Sequence, residues 1–320
     1  VLTEFELIRQ IIGPMGGLNP CREDVRVGIG DDCAVLVPPP DQELVTSVDT
    51  LVEGVHFPRE IDPGSLGYRS LAVALSDIAA MGAEPNWFTL ALTIPNAEQD
   101  WLTAFAQGMG SLASNYQMQL IGGDTTKGPL TLSLQVFGFA PHGEALQRCG
   151  AKSADYIFVS GSLGDAGAGL GQLQEGTQEQ NQYLMKRFTH PSPRIALGKA
   201  LRSYANACID ISDGLSSDLG HILSASGLGA EIDSRALPLS DPLVASVGEA
   251  QARDLALTFG DDYELCFCIP EEYLNFVEEI AAELPLQITK IGMMTPTPGL
   301  KIRGMGDDWL NESKSGYRHF

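Results

Sequence analysis

Basic residues are scarce in this chain. It has 20 Lys and Arg against 41 Asp and Glu, a formal net charge of −21 over 320 residues. That balance argues against nucleic-acid or anionic-membrane partners, which need basic surface. It is otherwise what solubility requires. No apolar run reaches the roughly 18 residues of a membrane span, and no secretory leader opens the sequence. The six cysteines (Cys21, Cys33, Cys149, Cys208, Cys266 and Cys268) include no CxxC pair. Cys266 and Cys268 lie two apart in a strand-like run and should share one face as small hydrophobes. These features fit a reducing, cytoplasmic setting. A GxxxxGK[ST] phosphate loop, a GxSxG elbow, a Ser-His-Asp pattern and zinc-like histidine spacing are also missing.

Aspartate recurs where apolar, strand-like runs end. The runs are VRVGIGDD (Asp31, Asp32), LVTSVDT (Asp49), LIGGDTT (Asp124), CIDISDG (Asp210, Asp213) and LTFGDDYE (Asp261, Asp262). Asp77 stands inside an apolar helical run, LAVALSDIAAMGAEP, with no nearby Lys or Arg after Arg69. A single Asp of this kind caps a helix or starts a turn. Several together suggest carboxylates converging on one pocket, where like charges need neutralising cations. Mg²⁺ held by carboxylates beside nucleotide phosphates is the usual arrangement.

Length suggests two domains, at about 150 residues each. A capping box, Thr3 with Glu6, opens a helix through Phe5, Ile8 and Ile12. Strands are expected at Val25–Ile29, Ala34–Val37, Glu43–Val48, Trp87–Ile94, Gln119–Gly122 and Leu130–Ala140. Helices are expected from Pro63 to Met81 and over Ala97–Leu112. Alternating strands and helices indicate an α/β (α+β) fold. The polar stretch Pro141–Ala154 marks a boundary near residue 150, giving domains 1–150 and 151–320. The second half offers strands at Tyr156–Ser160, Cys208–Ile211, Leu265–Ile269 and Ile288–Met293. Its helices are expected near Pro193–Tyr204 and at Leu215–Ser226 and Glu271–Leu284.

Two glycine-bearing segments have alternative readings. Gly161–Gly171 follows a strand and contains fragments of a dinucleotide fingerprint, but close helix packing explains it better. Gly122–Lys127 is either a backbone nest for phosphate oxygens or a hairpin turn. His56, after the Asp49 strand, is a candidate substrate contact.

Taken in order, GIGDDCAVL, SVDTLVEGVHF, YRSLAVALSDIAAMGAEP, LIGGDTTKGPL, IDISDGLSSDLGHI and GDDYELCF resemble the thiamine-monophosphate kinases over nearly the whole chain. The resemblance implies in-line transfer of the ATP γ-phosphoryl group to thiamine monophosphate, giving thiamine diphosphate. It implies several Mg²⁺ ions, and the two-domain fold of aminoimidazole ribonucleotide synthetase and selenophosphate synthetase, with N-terminal domains pairing in a homodimer. Carried over by motif, Asp32, Ser47, Val48, Asp49, Asp77, Asp124, Asp210 and Asp213 would bind metal. Of these, Asp124, Asp210 and Asp213 would be central to catalysis. Gly123, Asp124, Arg148 and Ser212 would contact ATP, and His56, Asp261 and Tyr317 the substrate. The family usually has Thr where this chain has Val48, leaving only the backbone carbonyl for a metal. It usually has Glu where this chain has Asp261, one methylene shorter. Competing readings are a related enzyme with another acceptor, a regulatory module that binds Mg-ATP without turnover, and a two-metal phosphohydrolase. Cys21 and Cys33 lack the neighbouring Lys that a selenophosphate synthetase would carry.

Overall fold

The structure is a computed structural model that describes residues 22–176 and 181–304. The expected N-terminal helix, Cys21, Tyr317 and His319 lie outside the described residues. Among the described residues no helix is long and apolar enough to cross a membrane. The chain forms two compact units. One comprises residues up to Ile78 and Ala83–Gly143, and the other Ala79–Gly82 and Glu144 onward.

In the first unit, β1 (Val25–Val27) and β2 (Val35–Leu36) make a short antiparallel pair. The main sheet has the order β3-β6-β4-β5, with β3 Gln42–Val52, β4 Glu84–Ile94, β5 Gln119–Lys127 and β6 Thr131–Pro141. β4 and β5 run parallel, and the rest of the sheet is antiparallel. A parallel pair needs a crossover, which helix α2 (Gln99–Asn115) supplies. Helix α1 (Pro63–Ala80) is apolar nearly all round, and Leu66, Leu71, Leu75 and Ile78 are fully buried. Two glycines let α1 and α2 cross closely. A Cβ on Gly67 would sit 1.9 Å from the Phe105 carbonyl oxygen, and one on Gly108 1.8 Å from that of Gly64.

Strand β3 runs four residues past its expected end at Val48. Alternation explains this: Ser47, Asp49 and Leu51 turn inward while Thr46, Val48 and Thr50 are exposed. Gly122–Lys127, read as a nest or a turn, is instead strand, paired in parallel with β4 from Thr89 to Ile94. Gly123 has φ +156°, and a Cβ there would meet the Leu90 carbonyl oxygen at 1.9 Å.

The second unit is a six-stranded sheet of order β12-β9-β11-β7-β10-β8, antiparallel except for β12 beside β9. The strands are β7 Tyr156–Ser160, β8 Ala207–Asp210, β9 Gly229–Asp233, β10 Leu265–Ile269, β11 Ile288–Thr295 and β12 Gly299–Arg303. Its helices are α3 Asp165–Glu175, α4 Gln182–Thr189, α5 Ile195–Leu201, α6 Leu215–Ser226, α7 Asp241–Val247, α8 Glu249–Thr258 and α9 Leu274–Glu283. Ile157 and Val159, Ile209, Leu219 and Ile222, and Cys266 and Cys268 meet in one buried cluster. The two cysteines thus face the core together, and burial pushes both thiols well up from their ordinary range.

The glycines after β7 serve packing. A Cβ on Gly167 would strike the Phe259 ring at 2.7 Å, and one on Gly169 the Leu184 carbonyl oxygen at 2.1 Å. The run before Asp261 is not a strand but the end of α8, so Asp261 and Asp262 precede strand β10 rather than follow one.

Candidate active site

In the first unit, β3 and α1 bring Asp49, Asp77 and Ser47 together. The Ser47 hydroxyl donates to the Asp77 carboxylate. Burial, and then the charge of Asp77, push Asp49 up to about 7. Two facing carboxylates in a half-buried site with an extra hydroxyl oxygen make an oxygen-rich set that favours a hard divalent cation. Among the described residues no three His, Cys, Asp or Glu side chains stand together as a complete metal-binding group.

Other first-unit candidates are Asp32, Val48, His56 and Asp124. Asp124 shares a cross-strand row with Ala91, Ser133 and Thr50, and the hydroxyls of Thr50 and Ser133 are hydrogen-bonded at 2.8 Å. The neighbouring row holds Asp49, Leu134 and Leu90, and adjacent rows face opposite ways. Asp124 is thus on the exposed sheet face, accepting the Thr125 N–H at 2.9 Å. Asp32 is exposed after Gly30 (φ +120°), and Asp31 accepts its N–H at 2.8 Å. Val48 is 64% exposed. His56 Nδ1 accepts the Val52 N–H at 3.0 Å, which puts the proton of the neutral ring on Nε2.

In the second unit the loop from β8 into α6 carries Asp210, Ser212 and Asp213. Asp210 ends β8, opposite Leu265, and is buried. The loop is stitched to the segment before β10. Asp261 N–H donates to the Ser212 carbonyl at 2.9 Å, and Tyr263 N–H to that of Ile211 at 2.9 Å. Asp261 and Tyr263 both adopt left-handed backbone, with φ of 68° and 50°. The Tyr263 hydroxyl donates to Asp261 at 3.0 Å. Arg148 is exposed, and its charge reaches Asp218 in the first turn of α6.

Two features went unread in the sequence. Asp218 is buried and accepts the backbone N–H groups of both Ser212 and Asp213. Burial raises it to about 7, and the charge of Asp213 adds to this while the two N–H groups and Arg148 oppose it. Its spacing, five residues after Asp213, was the available signal. The second feature is a clasp on Glu264. Arg194 Nε donates to Glu264 Oε2 at 2.6 Å and Arg187 donates to Oε1 at 2.9 Å. Burial alone would raise Glu264, but the two guanidiniums outweigh it and hold the carboxyl below its usual range. Beside it, fully buried Asp262 accepts from Gly164 N–H at 2.6 Å and Ala166 N–H at 3.2 Å. Alternate residues of GDDYE thus anchor the segment inward while Asp261 remains half-buried.

Two mixed α/β units rich in carboxylates define the class. Residues 30–140 match the family described as AIR synthase related protein, N-terminal domain, and residues 152–304 its C-terminal domain. Within that class the chain is 49% identical to the thiamine-monophosphate kinase of Salmonella typhimurium, over 99% of this chain and 98% of that one. Among solved structures it is similar to thiamine-monophosphate kinase from Stenotrophomonas maltophilia. That likeness has TM-score 0.85 and 44% identity, covering 88% of this chain and 92% of that one. It is also similar to AaThiL complexed with AMPPCP and TMP, with TM-score 0.79 and 33% identity over 91% and 92% of the two chains. The chain belongs to the thiamine-monophosphate kinase family, and it is accordingly a kinase.

Proposed function

We propose that this chain moves the γ-phosphoryl group of ATP onto the phosphate of thiamine monophosphate, releasing thiamine diphosphate and ADP. The observation that carries the reading is the near full-length likeness to AaThiL, whose structure holds AMPPCP and TMP. Phosphoryl transfer asks a protein mainly for positioning and charge neutralisation. The acceptor is a phosphate already ionised near neutral pH, so no strong general base is needed.

Asp49, Asp77 and Ser47 fit a hard cation, since a divalent ion would relieve the repulsion that raises Asp49. Asp32, the Val48 carbonyl, Asp124, Asp210 and Asp213 complete the proposed magnesium ligands. Bound magnesium supplies charge neutralisation for the phosphates. Gly123, Asp124, Arg148 and Ser212 hold the nucleotide, and His56, Asp261 and Tyr317 the acceptor. Asp261 reaches less far than Glu would, and its carboxylate already takes the Tyr263 hydroxyl proton donor. We also infer a homodimer formed by the N-terminal unit. Edge strand β3 supports it, leaving Leu44 52% and Val48 64% exposed.

The test is ADP release measured with thiamine monophosphate, with thiamine, and with no acceptor, each with Mg²⁺ and with excess EDTA. Release is expected with thiamine monophosphate and Mg²⁺ alone. Equal rates with thiamine would assign the acceptor wrongly, and full turnover in chelator would remove the metal.

A further inference from the structure

The loop Ile211–Gly214 has almost no backbone to spare. Ile211 N–H donates to the Glu264 carbonyl at 2.8 Å, and its own carbonyl accepts from Tyr263. The Ser212 carbonyl accepts from Asp261, and Gly260 passes so close that a Cβ there would lie 1.8 Å from that oxygen. The N–H groups of Ser212 and Asp213 are successive donors, the arrangement that elsewhere forms an anion-binding nest. Here a single oxygen takes both: Asp218 Oδ2 accepts each at 3.0 Å. Asp218 is 2% exposed, so water does not compete for these bonds.

We propose that Asp218 is a positioning residue that occupies the nest with a carboxylate from the chain itself. A nucleotide phosphate is then excluded from the Ser212 and Asp213 N–H groups, and Ser212 meets the nucleotide through its hydroxyl. This inference rests on the nucleotide contact assigned to Ser212 above. Asp218 touches neither substrate; it acts by fixing the loop that does.

Four variants of the full chain test it: Asp218→Asn, Asp218→Ala, Ser212→Ala and Ser212→Thr. Steady-state KM for Mg-ATP and for the acceptor are measured separately, with calorimetric titration of a nonhydrolysable ATP analogue. Asp218→Asn keeps an acceptor oxygen and should leave analogue affinity and kcat within about threefold. Asp218→Ala should weaken analogue binding about tenfold or more while the acceptor KM moves less than about twofold. Ser212→Ala should weaken it about tenfold, with Ser212→Thr restoring most of the loss. Equal damage from Asn and Ala at position 218 would mean that charge, not hydrogen bonding, is what the site needs, and overturns the proposal. So would a silent Ser212→Ala, or an Asp218→Ala whose nucleotide and acceptor parameters fall together. Should Asp218→Ala fail to fold, Asp218→Asn and the Ser212 pair decide alone: retained binding in the first with loss in Ser212→Ala supports the proposal, and the reverse overturns it. Wild-type protein that binds the analogue without phosphorylating thiamine monophosphate would refute the kinase acceptor and leave the calorimetric comparison of the four variants to decide this proposal.

Discussion

Asp49 on β3 and Asp77 on α1 face one another as like charges, and Ser47 donates its hydroxyl to Asp77. Burial and then that repulsion raise Asp49 from 3.8 to about 7. The folded chain therefore holds this proton more tightly than the unfolded chain does. The stabilisation is complete below about pH 4 and is lost as pH rises through about 7. In chelator at pH 8 the fold carries an uncompensated charge. Asp49→Asn should then raise unfolding free energy by on the order of 1–3 kcal/mol, and by less than half as much at pH 5. Thermal melts at the two pH values in EDTA check this. A loss of stability at pH 8 would mean that Asp49 is already paired.

The Glu264 clasp should behave differently from a surface pair. Glu264→Gln leaves two mostly buried guanidiniums short of a counter-charge, with an expected cost of roughly 3–5 kcal/mol. Arg235→Ala breaks an exposed, solvent-screened pair with Asp233, and should leave stability nearly unchanged. Urea denaturation of both variants gives the comparison, and similar losses would contradict the assignment of Glu264 as an anchor.

How far the sequence could be read depended on the range of the signal. Tyr156–Ser160, Leu215–Ser226 and Leu265–Ile269 were legible to the residue, because local apolar pattern and turn glycines decide them. The run before Asp261 read as strand although it ends helix α8, since a short apolar run cannot by itself distinguish the two. Gly122–Lys127 read as a nest or turn because Gly-Gly-Asp is turn chemistry. Parallel pairing with β4 overrides it. The candidate carboxylates were visible as motifs, but not which face of a sheet each would occupy. Arg187 and Arg194 lie 77 and 70 residues from Glu264, so no spacing rule could join them.

Asp124→Asn keeps size and hydrogen bonding and removes one charge. If Asp124 serves the Mg-ATP, kcat should fall roughly 100-fold or more. Asp241 stands exposed in the first turn of α7, and Asp241→Asn should change little. Asp261→Glu should stay within a few-fold of wild type in acceptor KM, while Asp261→Ala should raise it. Near-wild-type turnover in Asp124→Asn would remove that residue from the site.

Light scattering at micromolar concentration is expected to give the mass of a dimer. Replacing exposed Leu44 and Val48 on edge strand β3 by Lys should shift the mass toward the monomer. A wild-type monomer would contradict the proposed pairing.

The most direct measurement follows the phosphorus itself. Protein, ATP, Mg²⁺ and thiamine monophosphate are incubated together and the products resolved by ³¹P NMR. Thiamine diphosphate and ADP are expected to appear in equal amounts, with no inorganic phosphate beyond background. ATP loss to inorganic phosphate, with thiamine monophosphate unchanged, would contradict the proposed reaction.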